Sequence, residues 1–293
     1  MPNYGSVDYW NRRYCPDDDP SLNSPFDWLF EFNDLEGVLA QLIRDKDAPL
    51  LMVGAGNAPF SPDMYFKGGY TSILNIDISD VVIAQQRAAF PEQQWIVMDV
   101  LNMDFESGSI PLVLDKSLID TLLCYKNSAE STKAMIAEIY RVMAPGARYI
   151  TFSLHTREET VAHFAGHDWH LSAFYVKSNR WNETDNRKRA VAHVMVVCDK
   201  PLTDGAFLHH HPLSLDGVLS DDELRRLEEH QAAVNERAAF SDAGIDALLD
   251  CLDRSLKQYS VVGKIARPGD LLDRTQEEFK EEARSAALCL EID

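Results

Sequence analysis

Leu50-Leu51-Met52-Val53-Gly54-Ala55-Gly56-Asn57 decides the fold. The apolar run over 48–54 lacks the alternation of a half-solvated strand, so it reads as a parallel strand buried on both faces. The glycines at its end permit a tight turn in which backbone can approach a ligand, and a helix N-terminus following it can receive a negative group. Similar runs recur at 72–77, 94–98, 110–115 and 148–153. Between them lie helical patterns at 79–90, behind a Ser79 cap, and at 131–143, with Ala134, Met135, Ile139, Val142 and Met143 apolar and Pro145-Gly146 as a stop. Strand alternating with helix predicts a doubly wound α/β fold.

The alternation breaks after residue 153. Runs at 169–176 and 191–198 have only a polar stretch between them, and two strands without a crossover helix make an antiparallel hairpin. The expected architecture is a Rossmann-like, seven-stranded mixed sheet with a terminal antiparallel hairpin and a helical C-terminal appendage. Residues 200–217 carry Pro201, Gly205, Pro212, Gly217 and the His209-His210-His211 triplet, a linker or loop composition. The expected domains are therefore 1–200, a linker over 201–217, and an acidic appendage over 218–293. The appendage opens with a capping box at Ser220 and Glu223, with Leu224, Leu227, Val234 and Ala238 on a narrow stripe. Further helices are expected over about 242–258 and from the Thr275-x-x-Glu278 box. Residues 201–293 hold 10 basic and 20 acidic side chains, which concentrates negative charge in the tail.

The whole chain of 293 residues has 28 Lys and Arg against 47 Asp and Glu, a net charge of -19. That field opposes nucleic acid, whose binding depends on phosphate neutralisation, and it favours a basic protein partner. Hydrophobic residues at 45% exclude wholesale disorder. No apolar run reaches the ~18 residues of a membrane span, and the N-terminus lacks the pattern of a secretory signal. Cys15, Cys124, Cys198, Cys251 and Cys289 are scattered, odd in number and form no C-x-x-C, so a reducing cytoplasm is the expected compartment.

Pro59 stands where the dinucleotide fingerprint has its third glycine, which disfavours NAD or FAD. Asp77 lies 21 residues beyond Gly56 at the end of the second strand, where a carboxylate can accept both ribose hydroxyls. Asp99 ends the third strand, within reach of an adenine amino group, and Ile78 and Val100 offer apolar faces to the ring. Each acid alone also fits the plain role of capping the loop after a strand. At three successive strand ends these features address one nucleoside.

The chain resembles the class I S-adenosylmethionine-dependent methyltransferases, and more narrowly the group containing the elongation factor one-alpha and citrate synthase lysine methyltransferases. The resemblance rests on Tyr9-Trp10-Asn11-Arg12-Arg13-Tyr14, Phe26-Asp27-Trp28, the 51–57 loop, Asn75-Ile76-Asp77-Ile78-Ser79, Met98-Asp99-Val100 and Val113-Leu114-Asp115-Lys116-Ser117-Leu118-Ile119-Asp120, over roughly residues 5–200. It implies S-adenosylmethionine as cofactor and a protein lysine as acceptor, with a translation elongation factor as leading substrate. It further implies that Trp10, Tyr14 and Trp28 close over the methionine end and that Arg13 holds its carboxylate. Gly54, Ala55 and Gly56 would approach the cofactor by backbone, Asp77 would bind ribose, Ile78, Asp99 and Val100 adenine, and Lys116 would lie against it. Asp115 would sit at the floor of the transfer site. The family pattern Asp/Glu-Lys-Gly-Thr-Leu-Asp is altered here to Ser117-Leu118-Ile119 before Asp120.

Methyl transfer to an amine is an in-line displacement, so the site chiefly aligns the reactants and excludes water, with no metal required. A lysine must be neutral to attack, and Asp115, Asp120 and Tyr125 are candidates to orient it and receive its proton. His163, His167 and His170 lack zinc-ligand spacing, while His155, just past the fifth strand, either lines the acceptor pocket or is a surface residue. Lys177, Arg180, Arg187, Lys188 and Arg189 around Trp181 read as a solvated hairpin tip in preference to an RNA contact. A small-molecule methyltransferase and an inactive cofactor-binding adaptor are the alternative functions.

Overall fold

The computed structural model describes residues 6–15, 25–124, 128–178, 181–182, 187–188, 191–209, 215–226 and 229, and all structural statements concern these. Along the chain run α1 (Val7–Tyr14), α2 (Phe32–Leu42), β1 (Leu50–Val53), α3 (Phe60–Phe66), β2 (Ile73–Asp77), α4 (Asp80–Ala89), β3 (Gln94–Val97) and β4 (Ile110–Lys116). There follow α5 (Leu118–Leu123), α6 (Ser128–Val142), β5 (Met143–Ser153), α7 (Arg157–Ala162), β6 (His170–Ser178), β7 (Trp181–Asn182), β8 (Arg187–Lys188) and β9 (Val191–Asp199).

Seven strands form one sheet in the order β3-β2-β1-β4-β5-β9-β6, and β7 pairs with β8 in a separate ribbon. The pairs β1–β2, β2–β3, β1–β4 and β4–β5 are parallel, whereas β9 runs antiparallel to both β5 and β6. The mixed sheet and terminal hairpin are those expected from the sequence. Successive side chains of a strand alternate between faces, and here both faces are apolar. Met52, Leu112, Leu114, Ile150 and Phe152 join the core with Phe32, Leu35 and Leu39 of α2. Leu51, Val53, Val113 and Tyr149 join the core with Ile119 of α5 and Ile136 and Ile139 of α6. Each such side chain contributes about 1.5–3 kcal/mol by leaving water, and this double burial forces the near-continuous apolar runs.

From β1 the chain winds outward through β2 to β3, then returns to β4 on the other side of β1. A crevice opens at such a switch point, beyond the carboxyl ends of the strands. Ser79 caps α4, its Oγ accepting from Val82 N at 3.3 Å.

One boundary differs from the expected one. The chain passes from α6 directly into β5 at Met143, five residues before the expected strand start at 148. Pro145 and Gly146 (φ +78°) lie in this irregular opening, where pairing to β4 shifts register between Ile110 and Leu112. Such a bulge tolerates a proline that a regular central strand would reject. Near the end of the 201–217 segment, Asp216 N donates to Gln41 Oε1 at 3.0 Å, and just beyond it Leu219 N donates to Tyr175 O at 2.8 Å. The Ser220 capping box forms, with Ser220 N donating to Glu223 Oε2 at 2.9 Å. The expected helices over 242–258 and from Thr275 lie outside the described residues, as do Arg180, Arg189, His210 and His211.

Candidate active site

A cleft of about 140 Å³ opens at the carboxyl ends of β1, β2, β3 and β4. Its cradle is the turn after β1. Gly54 (φ +62°) and Gly56 (φ +57°) are left-handed, and a Cβ on Gly56 would stand 2.9 Å from Tyr14 Oη, one on Gly54 2.9 Å from Leu118 Cδ1. Only glycine meets both the backbone and the space. The Gly56 peptide is held from both sides: its N–H donates to Asp77 Oδ2 at 2.9 Å and its carbonyl accepts from Gln86 Nε2 at 3.3 Å. Asp77 Oδ1 accepts from Ser79 N at 2.9 Å, so this carboxylate organises the turn and the α4 start together. Burial pushes the Asp77 carboxyl up, while the Ser79 and Gly56 N–H groups hold it back. Each oxygen retains a further acceptor position.

Ile78, Met98, Asp99, Val100 and Leu101 line the neighbouring wall. Asp99 is half-buried and accepts from Leu101 N at 2.9 Å, which fixes the carboxylate at the strand end. Opposite, Tyr14 of α1 packs with Val82 and Ile83 of α4 and Trp95 of β3. Trp10 stacks on Tyr14 with centroids 5.8 Å apart, and both rings line the cleft together with Ala55. Arg13 does not line it, but its Nη1 is buried without a hydrogen-bond partner among the described residues. Phe26 and Trp28 meet edge to face at 5.1 Å over the cleft, each about 40% exposed.

Lys116 lines the cleft, and its Nζ is already engaged. It donates to Asp27 Oδ1 and to Trp28 O, both at 2.7 Å, and stands 5.0 Å from the centre of the Phe60 ring. Burial raises the Asp27 carboxyl's affinity for its proton and Lys116 opposes this. Asp27 belongs to the Phe26-Asp27-Trp28 stretch, but its partner lies 89 residues away and no local signal marks the pairing.

The expected proton acceptors take other positions. Asp115 is 0% exposed and absent from the cleft wall, its carboxylate accepting from Tyr149 Oη and, at 3.2 Å, from Leu118 N. Burial pushes it up to about 7, with Tyr149 and Thr151 hydroxyls opposing and Asp120 adding to the rise. Asp120 also lies behind the wall, accepting from Ser153 Oγ at 2.6 Å, Ser117 Oγ at 2.9 Å and Leu154 N at 3.1 Å. Neither carboxylate lines the cleft; both lie behind its floor, held by hydroxyl and backbone N–H partners. Ser117, Leu118, Thr121 and Leu122 form the floor surface itself. Tyr125 lies outside the described residues. Among the described residues no cluster of three or more metal-ligating side chains occurs, and no helix is long and apolar enough to cross a membrane.

A family model described as "Methyltransferase domain" matches residues 51–151, the segment from β1 to β5. The "EEF1A lysine methyltransferase 4" of Bos taurus is 30% identical over 177 residues, which are 55% of this chain and 68% of that relative. The chain belongs to the class I S-adenosylmethionine-dependent methyltransferases. Within this family, the "eEF1A lysine and N-terminal methyltransferase" of Bos taurus is 33% identical over 186 residues, covering 60% of this chain and 26% of the relative. The chain thus spans about a quarter of the length of that relative. A solved structure described as "Conversion of a Disulfide Bond into a Thioacetal Group during Echinomycin Biosynthesis" shares the fold at a TM-score of 0.53 and 16% identity, over 67% of this chain and 94% of that one.

The methyltransferase cofactor fits the residues on two counts. The cradle at Gly54 and Gly56 is open only because no Cβ fills it, and Arg13 Nη1 is a buried donor lacking an acceptor. Sequence reasoning missed Gln86 and Asp27. Gln86 had a weak signal, since a polar residue on the apolar-stripe side of α4 needs a partner.

Proposed function

We propose that this methyltransferase transfers a methyl group to a lysine of a protein, with a translation elongation factor as the leading substrate. The observation that carries the reading is the convergence of the Gly54–Gly56 turn, Asp77 and Asp99 on one cleft whose outer edge bears Phe26 and Trp28. The names of the relatives support the acceptor.

When bound, S-adenosylmethionine supplies an electron-poor methyl group on a sulfonium. Gly54, Ala55 and Gly56 would receive the cofactor along their backbone, with Asp77 accepting from ribose hydroxyls. Asp99 would accept from the adenine amino group between Ile78 and Val100. Trp10, Tyr14 and Trp28 would exclude water around the methionine end, and Arg13 would offer its buried Nη1 to the carboxylate. Lys116 acts here through Asp27 and the Trp28 carbonyl, holding the aromatic segment over the cleft. Asp115 fixes the turn into α5 through Leu118 N. Water exclusion favours a neutral amine, because burial disfavours the ammonium.

A basic protein surface is the proposed partner in view of the net charge of -19, and the cytoplasm is the proposed compartment. The test is methyl incorporation from labelled cofactor into purified elongation factor 1A and into cell extract, resolved into protein and low-molecular-weight fractions. A labelled lysine located by peptide mass spectrometry supports the reading. Label confined to the small-molecule fraction promotes a metabolite methyltransferase. Cofactor binding without any transfer promotes an adaptor.

A further inference from the structure

We propose that Ser117, Asp120 and His155 form a proton exit from the acceptor end of the cleft to solvent. The proposal rests on the methyl-transfer reading above, since an acceptor ammonium must lose one proton before its nitrogen can attack carbon.

Ser117 is one of two non-glycine residues with positive φ among the described residues, at 68°, a conformation that favours glycine. Strained backbone of this kind persists where the surroundings over-determine it, often at functional sites. Ser117 lines the cleft, and its Oγ donates to Asp120 Oδ2 at 2.9 Å. The other oxygen of that carboxylate lies 3.8 Å from His155 Nε2. His155 is held in place by its own N–H, which donates to Ser153 Oγ at 3.1 Å, while Ser153 Oγ donates to Asp120 Oδ1. Its side chain is 34% exposed, so the series runs from the cleft floor through a buried carboxylate to the surface.

The other carboxylates near the cleft are committed elsewhere. Asp27 is paired with Lys116, Asp77 braces the glycine turn, Asp99 accepts from Leu101 N, and Asp115 is locked to Tyr149. Asp120 is the one reached through a hydroxyl of the floor and opening onto a titratable surface group.

The step balances without another reactant. The ammonium N–H bond breaks as a bond to Ser117 Oγ forms, and the serine's own proton moves to Asp120 Oδ2. Rotation of the Asp120 carboxyl carries that proton to the side facing His155, and closure of the 3.8 Å gap lets it pass to Nε2, which returns Asp120 to carboxylate. The imidazolium releases its proton to solvent, and the amine keeps the electron pair that bonds to the methyl carbon. Besides Asp120 of α5, the groups facing His155 are Glu159 of α7, whose Oε2 is 4.0 Å from Nδ1, and His163, just past the end of α7. Ser117 would touch the acceptor; Asp120 and His155 act through it as positioning residues.

The experiment compares wild type with His155→Gln, His155→Ala and Ser117→Ala, using elongation factor 1A and both fractions of cell extract as acceptors. Circular dichroism verifies that each variant folds, and calorimetric binding of S-adenosylmethionine should change by less than about twofold in the His155 variants. His155→Gln and Ser117→Ala are expected to lower kcat roughly tenfold, the low end of acid–base effects. They should also flatten the acid limb of the kcat profile against pH. Imidazole added to His155→Ala should restore part of the rate. An unaltered pH profile in both variants overturns the exit while leaving methyl transfer standing. No transfer by wild type to any acceptor overturns both.

Discussion

Lys116 Nζ joins the end of β4 to Asp27 Oδ1 at 2.7 Å, with both side chains less than a tenth exposed. A pair this buried leaves an uncompensated charge when one member is removed, at a cost of about 3–5 kcal/mol, whereas removing both charges is far less damaging. Asp27→Asn and Lys116→Met should each lower the denaturation midpoint and weaken S-adenosylmethionine binding, because Phe26 and Trp28 lose their anchor. The double variant should recover much of the stability but not the affinity. Denaturant titration and calorimetry over the four proteins check this, and additive losses would mean the pair is not coupled.

Gly56→Ala meets two separable penalties. The left-handed backbone costs a non-glycine residue about 1–2 kcal/mol, and the new Cβ would stand 2.9 Å from Tyr14 Oη but 3.9 Å from Tyr14 Cζ. Adding Tyr14→Phe removes the oxygen and should leave mainly the backbone penalty. The single variant is therefore expected to bind cofactor more weakly than the double. Equal affinities would place the obstruction elsewhere.

The parts of the fold legible in the sequence were those set by double burial. Leu50–Val53, Leu112–Asp115 and Ala147–Ser153 are buried throughout, whereas the run in β3, at the sheet edge, exposes Gln94, Ile96 and Val97; Ser79, placed before α4, caps it. α3 was not legible, because Pro62 reads as a breaker; it sits in the first turn, where its missing N–H has no intrahelical partner to lose. α5, with six residues, is too short for a period to emerge. The glycine turn and the acids Asp77 and Asp99 were legible because strand ends announce their positions. The side toward which Asp115 and Asp120 point was not, since it depends on Tyr149 and Ser153, about 34 residues distant and on another strand.

Asp115 makes stability depend on pH. Its carboxyl is raised from 3.8 to about 7, so the native state holds a proton that the unfolded chain releases. Its favourable contribution is complete below about 3.8 and is lost as pH rises through about 7, at about 1.4 kcal/mol per unit of difference. Asp115→Asn cannot ionise, so its stability relative to wild type should increase from pH 5 to pH 8. Denaturation at the two values measures the difference. A constant difference would show that Asp115 is already ionised in the native protein at pH 5.

Salt should act on the acceptor more than on the cofactor. With 47 acidic and 28 basic side chains, the protein attracts a basic surface through its long-range field, which raises encounter rates and which ions screen to about 8 Å at 0.15 M. Raising salt from low ionic strength to 0.3 M should therefore increase the apparent KM for a basic protein acceptor, with kcat nearly constant, since the reacting groups are within the cleft. S-adenosylmethionine affinity should move much less, its contacts being at hydrogen-bond range. Initial rates across a salt series, read separately as kcat and KM, check this. A KM that ignores salt would remove charge attraction as the basis of acceptor choice and turn attention to the apolar edge at Phe26 and Trp28.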